Sequence, residues 1–413
     1  MTMHRSHRVA GALVGSAVGD ALSAPFAGGP PGQFTARFPV PARGSRTEMC
    51  GGGFRGWAPG EFTDRTQLAL LVASSLLERD GLDEADLVDR LRAWQAAGDG
   101  SLLPTTSAAI WFSRFGTEAT MDAARRISAL THGDPAAGED SAIFHELMRV
   151  ALDGDDPLAS VLAPHWTPDG PAAPMLGQAV WALRHGRDFA EVMRLVIDLG
   201  GDTDTVAAVA GGLAGAVFGM GGIPSRWASA VHGRVPGYAE KLWRLSDLQQ
   251  FAAALDGGVQ QNYDPGVIPR IGPTEVLPGI WAGNLDGARY SDDDFAVISL
   301  CRLGEPFPHP VHGMAYIADN DHNAGLDVML ADVLDDMAAL QAEGHRLLVH
   351  CHGGASRTGL VLRGWLVREK GMSVEEATAH VAERWPHLGL WNDSFTAALH
   401  RLAARSDDLP TDE

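Results

Sequence analysis

RLLVHCHGGASRTG, residues 346–359, decides how the second half of the chain is read. An apolar run of strand length ends at His350. A polar, glycine-bearing loop follows, and a helix-like segment opens near Thr358. Five residues separate Cys351 from Arg357. A loop of this kind can wrap one phosphate, because its backbone N–H groups point inward and the helix N-terminus adds positive potential. Gly353 and Gly354 let the backbone turn tightly. Arg357 can hold two phosphate oxygens at once. The same field favours the thiolate form of Cys351 and makes it a nucleophile. Thr358 can donate a hydrogen bond to the sulfur when it leaves. A plain buried cysteine before a glycine turn would account for the C-x5-R spacing alone. It does not account for the strand, His350, two glycines, Arg357 and Thr358 together.

Working outward, short apolar runs at 280–284, 295–300, 314–318 and 346–351 alternate with helix-like segments at 327–342, 358–370 and 374–384. That alternation predicts an α/β domain, a central sheet flanked by helices, over 273–405. Residues 256–272 are rich in Gly and Pro and read as a linker, and 406–413 as a polar tail. The first part, 1–255, reads differently. Segments 68–94 (broken near Gly81), 121–152 and 176–199 carry apolar residues at helical spacing, and 202–219 is an Ala/Gly-rich stretch suited to close helix packing. Few segments alternate with period two, so this part is expected to be all-α.

Composition limits the partners. Lys plus Arg is 32 against 52 Asp plus Glu, a net charge of −20, so general nucleic-acid binding is not expected. Three cysteines fit a reducing compartment rather than a disulfide framework. The N-terminal apolar stretch is broken by Gly15, Ser16, Gly19 and Asp20, and no run reaches the ~18 apolar residues of a membrane span, so no membrane association and a cytoplasmic location are expected. Cys50 reads as an incidental thiol and Cys301 as a core residue. His132 reads as facing a cleft, as a cap or as a buried histidine.

Two acidic clusters stand out in the first part. Thr63 and Asp64 lie in FTDRTQLAL (62–70); Asp202, Asp204 and Thr205 lie in LGGDTDTVAA (199–208). Hard cations such as Mg2+ or Mn2+ take oxygen ligands of this kind. Either cluster alone would serve as a helix N-cap. A doubled D-T-D-T after two glycines exceeds what one cap requires.

HCHGGASRTG resembles the signature loop of the protein tyrosine and dual-specificity phosphatases, and VLPGIWAGN and DDFAVISL resemble strands of the dual-specificity group. The resemblance implies that Cys351 attacks phosphorus, that Arg357 and the loop residues His352, Gly353, Gly354, Ala355 and Ser356 bind the phosphoryl group, and that Thr358 assists breakdown of the phosphocysteine. It also implies a general acid on an upstream loop: Asp319 in YIADNDHN, with Asp321 as the alternative. No cofactor is expected for this domain.

GALVGSAVGDAL (11–22), FTDRTQLAL, GDGSLL (98–103), ALTHGDP (129–135) and GGDTDTVAAVAGGLAGAVFG (200–219) resemble, in order, segments of the ADP-ribosylglycohydrolases. The resemblance implies an all-helical fold and hydrolysis of the glycosidic bond at ADP-ribose C1″. It implies Mg2+ or Mn2+, one or two ions, held by Thr63, Asp64, Asp202, Asp204 and Thr205, with substrate contacts at Gly98, Asp99, Gly100 and Ser101. The sequence departs from the pattern at several points. Arg65 replaces the second aspartate of the T-D-D-T motif, Ala27 replaces a glutamate, and Asp99 and Pro104 replace a loop Asn and a nearby Arg.

Together these readings predict a bifunctional hydrolase. Its expected partners are an ADP-ribosylated protein or ADP-ribose-containing small molecule, and a phosphorylated protein or small phosphoester. Arg65 and Ala27 are expected to weaken the glycohydrolase. The alternative is a phosphatase targeted by a non-catalytic ADP-ribose-binding domain.

Overall fold

The structure, a computed structural model, describes residues 3–39, 48–53, 55–97, 106–130, 134–159, 175–237, 239–258, 268–301, 303, 307–320, 323 and 325–407. The chain divides into two compact units, Met1–Pro41 with Arg46–Gln261, and Asn262–Glu413.

The first unit is helical. Its helices are α1 (Arg5–Ser23), α2 (Gln33–Arg37), α3 (Asp64–Arg79), α4 (Glu84–Ala97), α5 (Thr106–Phe112), α6 (Thr117–Ala129), α7 (Pro135–Asp153), α8 (Met175–His185), α9 (Phe189–Ile197), α10 (Thr203–Phe218), α11 (Ser225–Ala228) and α12 (Leu245–Leu255). α1 and α10 are the buried centre. Their small residues fall every fourth position and meet backbone to backbone. A Cβ on Gly11 would lie 2.2 Å from Gly215 O, one on Gly15 2.3 Å from Gly211 O, and one on Gly19 2.0 Å from Ala207 O. No larger residue fits these three levels, which is why both segments are so rich in glycine.

By length and mean hydropathy, residues 5–26 form one helical stretch apolar enough to cross a membrane, and 89% of its most apolar window is buried inside the unit. This corrects the expectation that no run is long enough: a central core helix and a membrane span share that composition. Among the described residues the all-α expectation also meets an exception. β1 (His232–Val235) and β2 (Ala239–Arg244) form an antiparallel hairpin. His232 exchanges backbone hydrogen bonds with the segment before α3, its N–H with Gly60 O and its carbonyl with Phe62 N. A Cβ on Gly233 would lie 2.5 Å from the Phe62 ring, so the strand approaches that ring closely. Four residues containing Gly and Arg carry too little alternation to be read as a strand.

The second unit has a five-stranded sheet in the order β3-β4-β7-β5-β6. The strands are β3 (Thr274–Leu277), β4 (Ile280–Gly283), β5 (Phe295–Ser299), β6 (Val311–Met314) and β7 (Arg346–His350), with helices α13 (Leu285–Arg289), α14 (Leu326–Ala342), α15 (Ser356–Lys370), α16 (Val374–Arg384) and α17 (Asp393–Asp407). β3 pairs antiparallel with β4; the other pairs are parallel. The strand expected at 314–318 is observed at 311–314, because those four residues find partners on β5 (Ala296 to Ser299) and the next ones leave the sheet. Past Arg346, β7 is buried, with Leu347, Leu348 and Val349 at 0% exposure, and it delivers Cys351 at its carboxyl end.

Candidate active sites

The loop after β7 is fixed from below and from the side. Gly354 has φ +74, a conformation that favours glycine, and a Cβ there would press on Gly283 O at 2.9 Å. The indole N–H of buried Trp385 donates to Gly354 O at 2.8 Å, and Leu285 N–H donates to His352 O at 3.1 Å. α15 begins at Ser356 with no side-chain cap, so its first-turn N–H groups face the loop. Arg357 donates from Nη1 to Ile317 O at 3.2 Å, while its Nε is buried with no hydrogen-bond partner. Thr358 Oγ1 is likewise buried and unpartnered. An open helix end and two orphaned donors flank a buried sulfur, since Cys351 is 2% exposed. Buried polar groups are normally satisfied, so the arrangement is built to receive an acceptor-rich group.

Asp319 sits beside this loop. Its Oδ1 accepts from Ser356 Oγ at 2.8 Å and from Asn392 Nδ2 at 3.3 Å. Asp321 lies outside the described residues. Asn392 was not visible as a site residue in the sequence. Its Oδ1 accepts from Ser394 N–H at the start of α17, so in sequence it looks like an ordinary helix cap. Cys301 is in the core, its thiol pushed up to about 12 by burial.

His350 is wholly buried, and burial pushes its pKa down to about 3, so it is neutral. The unfolded chain takes up a proton near pH 6.5; the folded domain does not until far lower. Stability carried by His350 is therefore present above pH 6.5 and lost as pH falls, by roughly 2 kcal/mol at pH 5. In the first unit two groups oppose each other. Burial lowers His145 to about 4 and raises Asp20 to about 6. Calorimetry at pH 7 and pH 5 should show the transition of the second domain falling further than that of the first. Equal shifts would contradict this.

In the first unit, Asp20 at the end of α1 organises one acidic cluster. It is 0% exposed and accepts from Thr63 N, Thr63 Oγ1, Thr66 N and Thr66 Oγ1 at 2.9, 2.5, 3.0 and 2.6 Å. It thus caps α3 from another helix, a role that no local pattern in the sequence announces. Thr63 Oγ1 also lies 3.0 Å from Asp64 Oδ1. The Gly28 and Gly201 N–H groups exchange backbone bonds with Gly201 O and Gly29 O, at 2.8 and 3.0 Å, which brings Ala27 near the second cluster. Asp202 precedes α10, Asp204 is in its first turn, and Thr205 Oγ1 is buried without a partner. Burial and the Asp202 carboxyl hold Asp204 well above the usual carboxylate range, with Arg65 acting the other way.

Arg65 joins the clusters. Its Nη1 is 3.6 Å from Asp64 Oδ2 and its Nη2 3.8 Å from Asp204 Oδ2, with the side chain 15% exposed. A guanidinium therefore stands between the carboxylates that would share divalent ions. Among the described residues no group of three or more His, Cys, Asp or Glu is placed to hold a metal. The residues as placed do not fit a two-ion centre. Gly98, Asp99, Gly100 and Ser101, with Pro104 and His132, lie outside the described residues.

Residues 1–98 and 162–258 match the family model ADP-ribosylglycohydrolase, and residues 309–404 match the catalytic domain of the dual specificity phosphatases. The chain is thus a fusion of two domains from hydrolase families. The first belongs to the ADP-ribosylglycohydrolases, which are generally metal-dependent, and the second to the dual-specificity phosphatases. The ADP-ribosylarginine hydrolase Tri1 of Pseudomonas putida (strain GB-1) is 26% identical over 285 residues, 54% of this chain and 74% of the relative. Human dual specificity protein phosphatase 1 is 25% identical over 128 residues, 30% of this chain and only 34% of the relative. A solved ADP-ribosylglycohydrolase-related protein complex is 32% identical, covering 62% of this chain and 98% of that one, with a TM-score of 0.49.

Proposed function

We propose that the chain is a bifunctional hydrolase that cleaves phosphomonoesters through Cys351 and acts on ADP-ribosyl groups with its first domain. The observation that carries the phosphatase reading is the pair of orphaned buried donors, Arg357 Nε and Thr358 Oγ1, beside Cys351 at an uncapped helix start. In this reading the Cys351 sulfur attacks phosphorus and the bond to the leaving oxygen breaks. Asp319 supplies that oxygen with its proton. Arg357 and the loop N–H groups hold the non-bridging oxygens as charge shifts onto them. Water then attacks the phosphocysteine with Asp319 as base, and Thr358 donates to the departing sulfur.

The test is hydrolysis of a small aryl phosphate by the full chain in the presence of a chelator, where metal-independent turnover is expected. Asp319→Asn should slow turnover by ~100-fold for an alkyl phosphate and much less for an aryl phosphate with a good leaving group. Equal loss on both substrates would remove Asp319 as the acid.

For the first domain the proposed reaction is cleavage of an ADP-ribosyl glycosidic bond on a protein or small molecule, weakened in this chain by Arg65. The Arg65 pairing with Asp64 and Asp204 also favours a second reading, an ADP-ribose-binding domain that brings the phosphatase to modified targets. Release of ADP-ribose from an ADP-ribosylated peptide separates the two. Binding without release identifies the second. Three unpaired cysteines support a reducing, cytoplasmic setting.

A further inference from the structure

A hydrogen-bonded chain crosses the sheet beneath the Cys351 loop, and the chemistry above does not use it. Ser299 ends β5 at 0% exposure. Its hydroxyl lies 2.6 Å from His350 Nε2 on β7 and 2.8 Å from His312 Nε2 on β6. His350 Nδ1 lies 3.3 Å from the Cys351 carbonyl oxygen. The buried Phe307 ring stacks on both imidazoles, with centroids 5.3 Å from His312 and 5.2 Å from His350 and interplanar angles of 9° and 16°.

The chemistry of the partners gives this chain a direction. A carbonyl oxygen only accepts, so His350 Nδ1 carries the hydrogen. A neutral imidazole has one N–H, so His350 Nε2 is an acceptor and the Ser299 hydroxyl donates to it. That hydroxyl has no second hydrogen. It therefore accepts from His312, whose Nε2 carries an N–H. The chain runs His312 Nε2–H to Ser299 Oγ–H to His350 Nε2, and then His350 Nδ1–H to the Cys351 carbonyl. A serine is also unusual in this place. The neighbouring β5 positions are Phe, Ala, Val and Ile, and an interior strand position ordinarily takes a residue that packs without needing partners.

We propose that Ser299 and His312 are positioning residues for Cys351. They hold His350 in the tautomer that ties down the Cys351 carbonyl, and so they fix the sulfur against the loop N–H groups and Arg357. Without the Ser299 hydroxyl, His350 Nε2 is buried with no donor. Moving the hydrogen to Nε2 relieves nothing and breaks the bond to Cys351.

This inference rests on Cys351 being the nucleophile, and alkylation tests it apart from turnover. Ser299→Ala, His312→Leu and His312→Gln are made in the full chain. Turnover of an aryl phosphate and the rate of Cys351 alkylation by iodoacetamide at one fixed pH are measured for each, with melting temperature alongside. Gln keeps an N–H donor toward Ser299, and Leu does not. Ser299→Ala and His312→Leu should each lower kcat about tenfold, a barrier change of about 1.4 kcal/mol, with KM within about twofold. Alkylation should slow by a similar factor, and His312→Gln should restore most of both rates. Equal behaviour of His312→Leu and His312→Gln would overturn the proposal. So would an unchanged alkylation rate in Ser299→Ala, whatever happens to its melting temperature. If the parent chain shows no turnover, the phosphatase reading fails, and the alkylation rates still decide whether the chain positions the sulfur.

Discussion

Cys351→Ser is expected to remove phosphatase turnover, by at least about a thousandfold, or roughly 4 kcal/mol of barrier. A serine hydroxyl is a weak nucleophile unless a base takes its proton. The imidazole that precedes it in the chain cannot serve as that base. His350 is neutral, its Nε2 faces Ser299, and its Nδ1 faces the Cys351 carbonyl. Arg357 and Thr358 are donors. The variant should still bind phosphate or a slow substrate, because Arg357, the loop N–H groups and the start of α15 are untouched. The measurement is aryl phosphate hydrolysis with a chelator present. Substantial activity in Cys351→Ser, or a requirement for Mg2+ in the parent chain, would reject the cysteine mechanism.

Arg65→Asp is expected to give the first domain a divalent-ion site that it otherwise lacks. The guanidinium nitrogens lie 3.6 and 3.8 Å from carboxylate oxygens of Asp64 and Asp204, so an ion sharing those oxygens would sit beside a fixed positive charge. At about 4 Å and an effective dielectric of ~20, two unit charges repel by about 4 kcal/mol, nearly three decades of affinity. Replacing the cation with a carboxylate removes the repulsion and adds a ligand. Calorimetric titration with Mn2+ should show fewer than two tight sites in the parent and a higher stoichiometry in Arg65→Asp. Two tight sites in the parent, or no gain in the variant, would show that Arg65 does not control occupancy.

Much of this was legible because the decisive signals are local. The run RLLVH, the glycines and Arg357 announce a strand, a turn and an anion-facing helix start within fourteen residues. α10 is readable from its Ala/Gly spacing, and the break at Gly81 from the residue itself. What was not legible depends on partners distant in sequence. The apolar run 314–318 looks like a strand, yet the sheet accepts 311–314, because register is set by β5. Nothing near Asp20 shows that it caps a helix more than forty residues later. Asn392 and Ser299 look like a cap and a strand residue until Asp319 and two imidazoles are placed against them. Arg65 was visible as a departure from a motif. That it bridges both clusters required α3 and α10 to be brought together.

The glycine crossing of α1 and α10 makes the first domain a lever. The two helices run antiparallel, so the level nearest the acidic cluster is Gly19 against Ala207, with Asp20 one residue beyond it and Asp204 three residues before it in sequence. At the far end Gly215 lies eleven residues from Asp204, about 16 Å along the axis. Contacts made of backbone atoms have no rotamers with which to yield. A single methyl group at Gly215, which would lie 1.9 Å from Gly11 O, must be absorbed by the rods tilting as bodies. The spacing of Asp20, Asp64 and Asp204 is therefore gauged by glycines remote from any ligand. A change there would be felt as lost affinity by a site it never touches.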